Sequence, residues 1–179
     1  MRTLSVVAAC CLFGMTAFAQ TQSAASGNPL TSGTKMIYGI TKSDLLRSAE
    51  EMPEANYSFK PVSTVRSFGE LVGHVADGQY EFCAPVAGDS TKHPGVEKNK
   101  TSKADLIAAL KEGFAYCDKV YAGMTDAHAA ETVDFFGHES AKMTVLNFNN
   151  THNMEHYGNM VTYLRMKGLV PPSSQHSSQ

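Results

Sequence analysis

Apolar residues recur at three- and four-residue steps in four separate stretches of this chain, and no stretch alternates polar with apolar as a half-buried strand would. A helix so patterned carries one stripe that must be hidden from water. Four such stripes can meet in a single interior, so the predicted fold is all-α, a four-helix bundle. Helix 1 is predicted over residues 35–52, through Ile37, Ile40 or Thr41, Leu45, Ala49 and Met52, and Pro53 stops it. Helix 2 follows Phe68, Leu71, Val72, Val75, Gln79, Phe82, Cys83 and Val86, with Ser63 and Thr64 as N-cap candidates. Residues 87–100, rich in Gly, Pro and Lys, read as a solvated connection. Helix 3 starts after Thr101 or Ser102 and buries Leu106, Leu110, Phe114, Cys117, Tyr121 and Met124. Helix 4 is predicted over residues 138–167, with a stripe of Ala141, Val145, Phe148, His152, His156, Asn159 and Tyr163, and Gly168 with Pro171-Pro172 ends it.

Residues 1–19 stand outside this pattern. Arg2, an apolar run over residues 4–13 and Ala17-Phe18-Ala19 make the three parts of a secretory signal peptide. The predicted organisation is therefore a signal peptide over residues 1–19, a flexible lead over residues 20–34, the bundle over residues 35–172 and a disordered tail over residues 173–179. Cleavage near Ala19 sends the mature chain to the periplasm or outside the cell. No other segment is apolar enough to span a membrane. Charged residues are 18% of the chain and apolar residues 42%, which excludes a disordered polyelectrolyte, and a net charge of -2 without a basic run excludes nucleic acid as a partner. Cleavage removes Cys10 and Cys11 and leaves Cys83 and Cys117 in an oxidising compartment, where they either pair or serve as small core residues. Pairing requires helices 2 and 3 to run parallel, which brings the two cysteines nearly level, and to be neighbours in the bundle.

The chemistry starts with His152 and His156, four residues apart and so one turn apart on one helix face. That face carries apolar neighbours. Two inward imidazoles need partners for their ring nitrogens, and a divalent metal is an efficient shared one. His74 lies on the periodic part of helix 2 and can reach the same interior. His93, His128 and His176 fall in connections or the tail, and His138 is too far from His152 to share an ion. The string His152-Asn153-Met154-Glu155-His156 matches the H-x-x-E-H of inverted zinc peptidases, but only 23 residues follow it and none is Asp or Glu. A peptidase is excluded. Glu155 is kept as a candidate proton carrier, together with Asp77, which sits one turn after His74 and is alternatively the group that orients that imidazole.

Two blocks of the chain, Ala49-Glu50-Glu51-Met52-Pro53 through Tyr57-Ser58-Phe59-Lys60-Pro61 to Val65-Arg66-Ser67-Phe68-Gly69-Glu70-Leu71-Val72-Gly73-His74, and His152 to His156 with Tyr157-Gly158-Asn159, Tyr163-Leu164-Arg165 and Gly168-Leu169-Val170-Pro171-Pro172, resemble a DinB-like domain. The chain departs from the pattern at Asn159, where many relatives carry Gln. The resemblance implies an up-down-down-up bundle with a long crossover between helices 2 and 3. It also implies metal ligation by one histidine of helix 2 and two of helix 4, which fall on His74, His152 and His156. Some members of the family are metal-dependent transferases or isomerases that use a small intracellular thiol, and most have no established activity.

Two functions are expected from this reading. The first is a metal-dependent hydrolase or transferase acting on a small molecule, in which three histidines leave coordination positions open. The second is a non-catalytic metal- or ligand-binding bundle in which the ion staples helix 2 to helix 4. Zinc heads the expected metals, with nickel, iron and manganese as alternatives, and a homodimer stays open.

Overall fold

The computed structural model describes residues 27–175, and within them four long helices form where the apolar periods lie. The signal peptide, its cleavage site at Ala19 and His176 lie outside the described residues. The elements are α1 (Pro29–Glu51), α2 (Phe68–Ala87), a short α3 (Val96–Asn99), α4 (Lys103–Gly123), a short α5 (Asp126–Ala129), strands β1 (Thr132–Phe135) and β2 (His138–Ala141), and α6 (Lys142–Met166).

Residue contacts give each helix its direction. Along α2 and α4 the partners rise together: Gly69 lies against Leu106, Ala76 against Gly113, and Cys83 is bonded to Cys117. These two helices are parallel. Along α2 and α6 they run in opposition, with His74 beside His156, Gln79 bonded to Asn153 and Cys83 next to Asn149. Tyr38 bonds Asp118 and Glu50 pairs with Lys111, so α1 opposes α4. Thr34 bonds Asn147 and Thr41 bonds Met154, so α1 accompanies α6. The bundle is up-down-down-up, with α2 seated between α4 and α6. Leu45, Phe68, Val72, Leu110, Phe114, Leu146 and Met160 fill its centre. Each such side chain contributes on the order of 1.5–3 kcal/mol.

The parallel arrangement is what lets Cys83 meet Cys117, with their Cα atoms 5.5 Å apart. Their separation of 34 residues makes the bridge worth roughly 3–4 kcal/mol through restriction of the unfolded chain. Among the described residues, no helix is long and apolar enough to cross a membrane.

Several boundaries differ from the sequence expectation, each for a tertiary reason. Residues 29–34 are not part of a flexible lead but the first turns of α1. Pro29 opens that helix, and the carboxylate of Asp126, nearly a hundred residues away, accepts hydrogen bonds from Leu30 N at 3.1 Å and Thr31 N at 2.8 Å. A cap from so far along the chain leaves no local signal. Residues 138–141 are not helical: they pair as β2 with β1 around a turn at Phe136 and Gly137, both with positive φ, and α6 starts only at Lys142. The cap of α2 is Ser67, not Ser63 or Thr64. Of the predicted α6 stripe, Phe148 and Asn159 are exposed. The deepest positions are Val145, Leu146, Asn149, Asn153, Met160 and Leu164. Residues 173–175 are likewise ordered rather than a disordered tail: Ser173 N donates to Tyr157 Oη at 2.9 Å, and the Gln175 side chain meets Glu51 and Arg47.

Candidate metal centre

A reciprocal capping box starts α2. Ser67 Oγ accepts from Glu70 N at 3.2 Å, and Glu70 Oε2 accepts from Ser67 N at 2.6 Å. With its start set there, the helix brings His74 round to face α6. Because α6 runs the other way, it offers His152 and His156 one turn apart at the same level. The ring centroids lie 5.0 Å apart for His74 and His152, 4.6 Å for His74 and His156, and 4.4 Å for His152 and His156. Two glycines on α2 permit the approach. A Cβ on Gly78 would stand 2.8 Å from Cε1 of His152, and one on Gly73 would stand 2.7 Å from the Cα of Glu97.

Glu97 belongs to α3, inside the crossover, and its Oε2 is 3.0 Å from His74 Nδ1 while its Oε1 accepts from Arg66 Nε at 2.8 Å. Burial pushes the Glu97 carboxyl up, but Arg66, aided by His74, outweighs it and holds the group below the usual carboxylate range. An ionised carboxylate can only accept. His74 Nδ1 therefore carries a hydrogen toward Glu97, and its Nε2 faces the cluster, 3.1 Å from His152 Nε2.

The other two rings are held neutral. Burial first, then the neighbouring imidazoles and Arg66, push His152 down to about 3. Burial, then His74, push His156 down to about 4, against an opposite pull from Glu155. Nδ1 of His152 and Nδ1 of His156 are buried without a hydrogen-bond partner. Stranded buried nitrogens carry a cost unless something outside the chain satisfies them. A divalent transition ion fits: three imidazoles, two of them held neutral, each offer one donor atom, all within 4.8 Å of one another, and the carboxylate behind His74 is the usual outer partner of a metal-bound histidine. Among the described residues, this group of donors counts three.

A cleft of about 600 Å³ reaches the cluster at His156, walled by the loop before α2 and by Glu97, Glu155 and Tyr163. Its charges are mostly matched. Lys60 pairs with Glu70 at 3.5 Å and Arg66 with Glu97 at 2.8 Å, whereas Glu155 is exposed and makes no ion pair among the described residues.

Of the two proton-carrier candidates, Glu155 stands on this cleft beside His156. Asp77 does not face His74; its oxygens accept from the backbone N–H groups of Val96 and Glu97. The group that orients His74 is Glu97, which the sequence reading missed because it lies in a Lys-rich stretch without periodicity. The connection over residues 87–100 is accordingly not wholly solvated, since it carries α3, with Val96 buried. His93, His128 and His138 stay away from the cluster, on the crossover, α5 and β2. Also unanticipated was the polar seam deeper in the core. Gln79 Nε2 donates to Asn153 Oδ1 at 2.8 Å, Asn153 Nδ2 to Asn149 Oδ1 at 3.2 Å, and Asn149 Nδ2 to Gln79 Oε1 at 3.4 Å. Its signal was available, because Asn149 and Asn153 repeat the four-residue spacing of the histidines three positions earlier.

Residues 38–160 match the model of the DinB superfamily. An uncharacterized protein of Bacillus subtilis (strain 168), YjoA, is 28% identical over 126 residues, covering 67% of this chain and 79% of its own length. The crystal structure of that DinB-like protein superposes with a TM-score of 0.64 at 22% identity, over 84% of this chain and all of the other. A DinB-like protein of Bacillus cereus ATCC 10987 gives a TM-score of 0.69 at 15% identity, over 79% of this chain and 95% of its own. The mycothiol-dependent maleylpyruvate isomerase gives 0.60 at 12% identity, over 73% of this chain and 60% of its own.

Proposed function

The chain belongs to the DinB superfamily, and on that premise we propose that it is an exported metalloenzyme of the hydrolase or group-transfer type. His74, His152 and His156 hold one divalent transition ion, zinc first among the metals, and the substrate is a small polar molecule entering by the cleft. The observation that carries this reading is a cluster of three imidazoles, two of them held neutral, whose donor atoms all lie within 4.8 Å of one another at the end of a cavity large enough for a substrate.

An ion held there supplies Lewis acidity toward water or a carbonyl. The chain's own residues do the rest. Glu97 holds the proton of His74 at Nδ1 and keeps Nε2 available. The pairs Lys60–Glu70 and Arg66–Glu97 stiffen the cleft wall. Glu155, unpaired and beside His156, takes and returns a proton at the cleft surface. Two ring faces are closed by packing, His152 against Phe82 at 5.0 Å and His74 against the other two histidines, which keeps water from that side.

Elemental analysis of protein purified from its native compartment, followed by screens of ester, amide and thiol-transfer substrates with and without chelator, tests the proposal. Metal at about one equivalent and a chelator-sensitive turnover lost in Glu155→Gln are expected. Protein isolated without any metal, and unable to take one up, overturns it. A structural ion is the competing reading, favoured by the fact that the three ligands join α2 to α6. It predicts a chelator-dependent fall in thermal stability with no associated turnover.

A further inference from the structure

Asp77 lies one turn beyond His74 on α2 and is only 8% exposed, yet neither of its oxygens bonds a histidine of the cluster. Oδ1 accepts from Val96 N at 2.8 Å and Oδ2 from Glu97 N at 3.0 Å, two of the otherwise orphaned donors at the start of α3. His93, 53% exposed at its side chain, is the other charged-type neighbour, with Nδ1 3.5 Å from Oδ1. A buried carboxylate is therefore used to fasten a four-residue helix onto α2. Gly73 makes the seat close enough, because any side chain there would strike the Glu97 backbone.

What this fastening delivers is one side chain. The backbone N–H that Asp77 holds is that of Glu97, and the Glu97 carboxylate accepts from His74 Nδ1. We infer that Asp77 is a positioning residue of the metal centre: through the backbone of α3 it places Glu97, and through Glu97 it holds His74 in the tautomer and orientation that present Nε2 to an ion. The inference rests on the metal reading above for its consequence, but its structural half can be read in metal-free protein.

The test uses the whole mature chain, Zn²⁺ as the probe, and ¹⁵N-histidine NMR on the metal-free protein. The wild type is expected to show His74 as the single Nδ1–H tautomer. Asp77→Asn, which puts an N–H against one backbone donor, should give mixed tautomers and an affinity for Zn²⁺ lower by about 10- to 100-fold. Glu97→Ala should do the same, and Glu97→Gln, which keeps an acceptor oxygen, should restore most of the tautomer. The double variant Asp77→Asn with Glu97→Ala should bind Zn²⁺ no more weakly than Glu97→Ala alone, since one residue acts only through the other. Gly73→Ala keeps His74, Asp77 and Glu97 unmutated and displaces α3, so it carries the test if Asp77→Asn does not fold. A wild-type tautomer in both Asp77→Asn and Gly73→Ala, or losses that add in the double variant, overturns the inference. A wild type that shows the expected tautomer but does not bind Zn²⁺ supports the positioning role and overturns the metal reading instead.

Discussion

Two polar regions share the seam between α2 and α6, and they are finished differently. Around Gln79, Asn149 and Asn153, all fully buried, each amide gives and takes hydrogen bonds within the group. Asn149 Nδ2 also meets Tyr121 Oη at 3.3 Å, and Tyr121 Oη donates to Leu146 O at 2.9 Å. The seam there closes on itself. A turn or two away, the same two helices bring three histidines together and leave two ring nitrogens stranded. An amide network can satisfy itself because each amide is donor and acceptor at once, whereas imidazoles packed ring against ring do not provide a partner for every nitrogen. The first region is completed within the chain, and the second leaves two buried ring nitrogens without a partner in it.

The comparison breaks most directly at the ligands. Alanine in place of His74, His152 or His156 should abolish metal uptake, with a loss well beyond the roughly 10- to 100-fold typical of an outer partner. Alanine at His93 should leave it intact. Equal metal content in all four proteins, measured by atomic emission, would show that the cluster is only packing.

Acid should separate the two regions next. His152 and His156 titrate in the folded chain at about 3 and about 4, below the ordinary 6.5. Between pH 6.5 and these values the unfolded chain therefore binds more protons, and the metal-free protein should be fully stable above pH 6.5 and lose stability progressively as the pH falls from 6.5 through 4 toward 3. A metal competes with the same protons, so added Zn²⁺ should move the loss to lower pH. Chemical denaturation at several pH values, on chelated protein, checks the sign. Replacing both histidines with Phe should flatten the profile, while the amide network, which carries no titrating group, should leave it unchanged when altered.

The closed region is sharpened by its neighbour, the bridge between Cys83 and Cys117, whose sulfurs lie 3.9 and 3.8 Å from Asn149 Nδ2. Reduction should cost roughly 3–4 kcal/mol of unfolding free energy and leave zinc stoichiometry unchanged in the folded protein. Thiol counting before and after reduction confirms the starting state. Smaller again is Gln79→Leu, which strands Asn153 Oδ1 and should cost about 1–3 kcal/mol while metal affinity holds. A loss of metal in that variant would show that the two regions are one unit.

The sequence by itself determined the class of fold and the identity of the three converging histidines. Both follow from periodicity, which is a local property: a 3.6-residue repeat says which residues share a face before anything says what the face meets. Cys83 and Cys117 could be placed level only conditionally, because level depends on direction, and direction belongs to the path of the chain. The starts of α1 and α6 were set by partners distant in sequence or in strand pairing: Asp126 caps the first, and the turn at Phe136 and Gly137 takes residues 138–141 into a hairpin. The same holds at the site. His74 is legible on its helix, but Glu97 lies 23 positions away in a stretch with no periodic pattern. It reaches the imidazole only because Gly73 and Asp77 seat α3 on α2. The three histidines can be read from periodicity along their two helices, whereas the layer that orients them is assembled from groups whose only common property is where the folded chain puts them.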